Sequence, residues 1–449
     1  MSRLLLLAFA YSLAQASTAA AASFDCAKAG DAVEQRICAN GDVSGLDGEL
    51  GELYAQAAAS AIIDKAKLQR DQANWIAERD DATWGLIAAG LAKEADQTLH
   101  DTYQTRIDFL RGLLGRGPGL SAQASWLRDR IVATGTDRYG RYLDALAKSE
   151  PHIVFAKAAG SIDGRNFPAG LPFRAAPELV DAVRSGLGDS PFTASLMRLQ
   201  QPAIGVIYSV QGTANCELDF AFALDAAGLA HAIPTPEPWE NSCWHIRNAL
   251  VAIDGTAVAL SEANNAYFVD YNLQAWDGKD WSDVSRLLIR RDVVLKAGAA
   301  YCAEGDCTPA AALALRHARA YARRPVPGTL DSALPDTEKS TFAQMRALAE
   351  HNDDLAHLPR PRAHPTDKGW WPGMDGYDKE ASFFPAHLQG ELVLGRIGHN
   401  HMGWRTDDDW LVGYWRLRSG KLEAVAGVPV EVWAGPLLLA ASMPVEDRD

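Results

Sequence analysis

A chain of 449 residues, 48% of them hydrophobic, is long enough for more than one domain and apolar enough to build cores. Its formal charge of −14 argues against nucleic acid and anionic membrane as partners and favours something basic. Beyond the N-terminal start, no stretch is apolar for long enough to span a bilayer.

Met1-Ser2-Arg3 gives a short positive start, Leu4 to Leu13 an apolar run, and the small residues from Ala14 to Ala22 several cleavage positions. Residues 1–22 are therefore expected to be a signal peptide, too short for a membrane anchor, and the rest to be periplasmic or secreted after cleavage. A lipoprotein would carry leucine three residues before its modified cysteine. Ser23-Phe24-Asp25 precedes Cys26, which argues against one. Six cysteines follow at Cys26, Cys38, Cys216, Cys243, Cys302 and Cys307. In an exported chain such near neighbours read as disulfides paired in sequence order, and no CxxC exists to build a zinc site.

Three helical stripes come next. Leu46, Leu50, Leu53, Tyr54 and Ala57 lie on one helix face, Leu68, Gln72, Trp75, Ile76 and Arg79 on a second, and Leu99, Tyr103, Ile107, Leu110 and Leu114 on a third. Short polar links between them predict a small antiparallel bundle stapled by Cys26 and Cys38. From Asp25 to Arg111 there are sixteen acidic and nine basic side chains, so half of the charge excess falls on under a fifth of the chain. The polar, glycine-bearing stretch from Ala39 to Gly45 reads as a loop, a connector or an exposed contact segment.

The ordered set Ser23-Phe24-Asp25-Cys26, Glu34-x-x-Ile37-Cys38, Leu46-Asp47, Leu53-Tyr54, Gln72-x-x-Trp75 and Glu78-Arg79-Asp80, continuing to Tyr103 and Ile107, resembles the N-terminal domain of the LprI-like lysozyme-inhibitor family over residues 23–111. The resemblance implies a small exported helical domain with a disulfide, and lysozyme inhibition as described for the founding member. Members commonly carry a second cysteine pair where this chain has Thr83 and Thr98. The motif residues Glu34, Asp47, Tyr54, Gln72, Trp75 and Arg79 are read as structural: Trp75 and Tyr54 as core, Asp47 and Arg79 as a register-fixing pair, Glu34 as a local cap or a local pairing residue.

Gly112 to Gln123 reads as a linker, and residues 116–201 as a linker with mixed helix and loop, including a helix from Ala176 to Gly186. From 202 to 449 the texture is β-rich, with strands at 203–210, 217–224, on both sides of Asp254-Gly255, at 266–270, 272–276, 285–295, 390–398, 410–418, 421–426, 428–434 and 437–441. Gly420, Gly427 and Gly435 read as turns between the last of these. Helices start at Thr308-Pro309 and near Asp336. The fold class expected is α+β and multidomain: a disulfide-stapled helical bundle over 23–115, then a mostly antiparallel β-rich domain with interspersed helices over 202–449.

Motifs of the common hydrolases, P-loops and dinucleotide folds do not occur in the sequence. His399-x-His401 with Asp407 to Asp409 offers metal-type donors without an assignable third ligand, and Asp277 to Asp283 has calcium-loop oxygens without EF-hand spacing, so it reads as a solvated turn. Trp370, Trp371, Tyr377, Phe383, Phe384, Trp404, Trp410 and Trp415 suit sheet packing or a sugar platform. No catalytic, metal or cofactor site is assigned. The reading is an exported protein that binds a basic partner such as lysozyme, with no nucleic acid and no membrane insertion. The alternatives are an envelope hydrolase and a wall- or carbohydrate-binding protein with its site in the β-rich part.

Overall fold

A computed structural model of the chain describes residues 22–88, 90–134, 157–162, 171, 173–187, 192–197, 203–211, 216–236, 239, 246–253, 255–264, 267–297, 302–303, 306–323, 334–350, 382–399 and 410–445. The expected signal peptide therefore lies outside them, save Ala22. Two compact units emerge. The smaller holds the described residues up to Gln56 together with Ala82–Ile107, and the larger holds Ala57–Asp81 and everything from Asp108 onward.

The N-terminal part is helical. A single turn at Cys26–Lys28 leads to α1 (Ala32–Ala39), α2 (Gly41–Ala59), α3 (Lys65–Ala88), α4 (Ala92–Leu113) and α5 (Ala122–Thr134). The first two expected stripes sit inside α2 and α3, and the third inside α4 except for Leu114, one residue past its end. Asp31 caps α1 by accepting from the Glu34 amide at 2.7 Å, and the Glu34 carboxylate turns back to the Gly30 amide at 2.7 Å, so Glu34 is the local cap its position suggested. The expected loop from Ala39 to Gly45 is not one. Asn40 alone separates α1 from α2, its side-chain oxygen accepting from the amides of Asp42 and Val43. A good N-cap outweighed the glycines, which sit where an added Cβ would meet open space.

Cys26 and Cys38 are joined, with Cα atoms 5.7 Å apart. The bridge closes a loop of separation 12, which limits the unfolded chain and contributes about 3 kcal/mol. The Cys26→Ser/Cys38→Ser double variant is expected to unfold at correspondingly lower urea. A midpoint equal to that of the wild type would deny the bridge any such role.

After α5 the chain is dominated by strands. The first sheet uses β1 (Lys157–Ile162), β2 (Arg174–Ala175), β3 (Phe192–Met197), β4 (Ile204–Gln211), β5 (Cys216–Leu224) and β6 (Leu229–Ala232), ordered β1-β3-β4-β5-β6-β2 and antiparallel except for β2 beside β6. Helix α6 (Pro177–Leu187) lays Leu179, Val183 and Leu187 over Phe192, Ala194, Ile207 and Phe222.

The second sheet has eight antiparallel strands. They are β7 (Ile246–Ile253), β8 (Thr256–Asn264), β9 (Phe268–Trp276), β10 (Trp281–Ala297), β13 (Ser382–Leu388), β14 (Glu391–His399), β15 (Trp410–Arg418) and β16 (Lys421–Met443), in the order β13-β14-β15-β16-β10-β9-β8-β7. The short pair β11 (Cys302–Ala303) and β12 (Asp306–Cys307) precedes α7 (Pro309–Arg323) and α8 (Asp336–Glu350). Thr308 caps α7 through its hydroxyl, with Pro309 in the first turn as anticipated. Alternation along β10 sends Leu287 and Ile289 under Ala124, Leu127 and Ile131 of α5, and Leu288 towards Phe109, Ala441 and Met443.

Three expectations need correction. The runs at 266–270 and 272–276 are one strand, β9. The runs at 421–426, 428–434 and 437–441 are likewise the single strand β16. Gly427 is paired across to Gly413, and Gly435 with Pro436 forms a bulge opposite Asp292, where a Cβ on Gly435 would lie 2.4 Å from the Asp292 carbonyl. Only Gly420 makes the turn assigned to it, with φ +74°. The linker read from Gly112 is shorter as well: α4 runs to Leu113 because Gly112 lets the helix meet the Ser442 carbonyl, 2.4 Å from where its Cβ would stand.

Candidate functional site

In the smaller unit the family residues converge on Asp47. Its buried carboxylate accepts from the Tyr103 hydroxyl at 2.8 Å and from the Ser23 amide at 2.5 Å. Ser23 reaches it because α2 carries glycine at position 51, where a Cβ would stand 2.8 Å from the Ser23 Cβ. A motif aspartate, a motif tyrosine and a helix-interior glycine thus tie the entry segment to α2 and α4. Arg36 of α1 grips Asp96 of α4 through Nε and Nη2, and this bidentate pair holds the Asp96 carboxyl below the usual range.

With Arg36 occupied, the unit's remaining charge is mostly carboxylate. Residues 22–56 and 82–107 contain ten acidic and four basic side chains. Arg106 is buried, while Asp42, Glu52, Glu94 and Asp101 are exposed.

In the larger unit, the first part of α3 carries Trp75, 3% exposed, with the Arg79 guanidinium 5.5 Å from its ring. Arg79 itself donates to Asp80 through Nε at 2.8 Å. Of the two residues expected to pair, Asp47 belongs to the smaller unit and Arg79 to the larger. Gln72 and Tyr54 are half-buried. A buried charged cluster in this unit was not expected. Arg290 of β10, 4% exposed, donates to Asp71 and Glu78 of α3 at 2.8 Å each, and Asn74 donates to the Arg291 carbonyl at 3.3 Å. The two carboxylates hold the Arg290 guanidinium firmly protonated against the pull of burial.

Under α7, His317 Nδ1 lies 3.1 Å from the Tyr414 hydroxyl and its ring 4.3 Å from that of Phe384. Phe384 lies flat over Gly395, where a Cβ would stand 2.1 Å from the ring. Burial, aided by the Arg316 charge, pushes the His317 imidazole down to about 4, and burial raises the Tyr414 phenol. The protonated phenol is suited to donate to a neutral imidazole. Because the unfolded chain binds this proton near pH 6.5 and the folded chain only near 4, stability is complete above pH 6.5 and falls as pH drops through that window. A loss of about 2–3 kcal/mol between pH 7 and 4 is expected from this group. His317→Gln should flatten that part of a pH series of denaturant unfolding curves. An unchanged slope would remove His317 as its cause.

The other expected residues divide in two. Asp277 accepts from the amides of Lys279 and Asp280 at 2.8 Å, which makes 277–280 a hydrogen-bonded turn between β9 and β10. Phe384 and Trp415 are core residues of the second sheet. Cys302 stands opposite Cys307 across the β11–β12 pair. The side chains of Cys216, Cys243, Cys302, Cys307, His399 and Trp410, and the whole of Trp370, Trp371, Tyr377, His401, Trp404 and Asp407 to Asp409, lie outside the described residues. Among the described residues no helix is long and apolar enough to cross a membrane.

Compared with known proteins, the chain matches no curated protein and no solved structure. One family does match, through its model described as Lysozyme inhibitor LprI, over residues 26–110. That span runs from the first disulfide cysteine to the last turn of α4 and holds the Asp47–Tyr103 bond, the Arg36–Asp96 pair and Trp75 with Arg79, so it is residues 26–110 of the helical front that match the LprI family.

Proposed function

We propose that the protein is exported and acts outside the cytoplasm as a binding protein, its LprI domain capturing a basic wall-cleaving enzyme of the lysozyme type and shielding the envelope from it. The family match supports the class of partner. The observation that carries the mechanism is the charge of the smaller unit: ten acidic against four basic side chains, and eight against two once the Arg36–Asp96 pair and the buried Asp47 and Arg106 are set aside. Such a surface steers a cationic enzyme into encounter and raises the association rate, most strongly at low ionic strength.

On this reading residues 23–115 supply the contact and residues 202–449 act as its carrier. The purified full chain is expected to slow egg-white lysozyme on a cell-wall suspension at low salt, with the effect fading as salt rises. An enzyme rate untouched at low salt would falsify the proposal for lysozyme.

A further inference from the structure

We infer that the turn between α2 and α3, Ser60 to Asp64, is the part of the LprI domain that enters the partner, and that it fits a cleft with apolar walls and carboxylates at its floor. The inference rests on the proposed lysozyme-type partner. Two features of the turn run against local stability. Ile62 is 86% exposed, beside the exposed Ala61, although an isoleucine gains by burial. Lys65 and Lys67 occupy the first turn of α3, which has no acidic residue, at the helix end where the macrodipole disfavours cations. The Asp64 carboxylate at the cap answers part of the Lys67 charge, but the exposed Ile62 and the second lysine remain, and local rules broken together mark places selected for something else.

The turn is also built to stay put. The Ser60 amide donates to the Ala57 carbonyl at 3.2 Å, the Ile62 amide to the Ser60 hydroxyl at 3.4 Å, and the Asp64 carboxylate accepts from the amides of Ala66 and Lys67 at 3.0 and 3.1 Å. An apolar tip held on a capped turn loses little freedom on binding. Its chemistry suits a glycosidase cleft, which works with a pair of carboxylates between walls that receive sugar rings. Ile62 would fill the apolar space and the two lysines would face the carboxylates, while the chain's overall charge of −14 meets the basic exterior.

The test separates the tip from general charge. Binding of the full chain to egg-white lysozyme is measured by calorimetry for the wild type, Ile62→Ser, Val132→Ser and Lys65→Glu/Lys67→Glu, each checked by thermal melting. Val132 is another exposed apolar residue and serves as control. Ile62→Ser is expected to weaken binding about tenfold and Val132→Ser to leave it unchanged. The double lysine variant is four charges more negative and places acidic groups where the α3 dipole prefers them, so it should melt no lower than the wild type. If general charge governs affinity it binds tighter; if the tip enters the cleft it binds at least about tenfold weaker. Wild-type binding that both Ile62→Ser and the lysine variant leave intact or improve would overturn the tip while leaving the proposed partner standing. No wild-type binding at low salt would remove both.

Discussion

Replacing Arg290 with methionine is expected to destabilise the larger unit by about 3–5 kcal/mol, more than the side chain's size suggests. Methionine fills much of the same space in β10, so little cavity is created. What changes is the company of Asp71, which is fully buried, and of Glu78, whose side chain is 18% exposed. Both carboxylates lose the charge 2.8 Å away, and the fully buried Asp71 gains no water in exchange. The Arg290 guanidinium also lies 5.8 Å from the Phe268 ring, a smaller contribution of the same sign. Adding Asp71→Leu and Glu78→Gln to Arg290→Met should restore a large part of the loss, because the triple variant removes the two carboxylates whose charge Arg290 answers. Denaturant unfolding of the three proteins decides it: a single variant within about 1 kcal/mol of wild type would show the cluster to be well solvated, against its burial.

Arg290 also shows where sequence reading stops. The three striped helices and the one that starts at Pro309 were legible because their information is local: a stripe at helical spacing, and Thr308 before Pro309. Hairpins about Gly255 and Gly420 were legible because both glycines must take positive φ, +80° and +74°. Long-range decisions were not. Arg290 meets Glu78 and Asp71 across 212 and 219 residues, and no local pattern names such partners. A weaker signal was present, since Arg290-Arg291 interrupts an apolar strand that resumes at Val293, and charge at a core position asks for a buried partner. Gly435 misled for a related reason. Glycine beside proline usually ends a strand, but here the pair bulges opposite Asp292, whose side chain lies 3.4 Å from Asn74 Nδ2 and 3.3 Å from Arg70 Nε. At Asn40 the side chain caps α2, and the glycines on either side of Asp42-Val43-Ser44 hid that from a reading by composition.

The second large effect is expected at Trp75. Truncation to alanine should lower stability by about 3–5 kcal/mol, the range for removing a buried aromatic whose surroundings collapse only in part. Trp75 is 3% exposed, and the group over its ring is the Arg79 guanidinium, itself 6% exposed and bonded to Asp80. The ring therefore does two things: it fills volume, and it supplies a negative π face to a cation that has little access to water. Trp75→Phe keeps a face and most of the volume and should cost about 1–2 kcal/mol, whereas Trp75→Leu keeps apolar volume without a face and should fall between the two. If leucine and phenylalanine prove equal, packing alone explains the residue and the guanidinium contributes nothing. If alanine costs less than about 1 kcal/mol, Trp75 is not a core residue, and the family's tryptophan would have to be sought among groups that meet a partner.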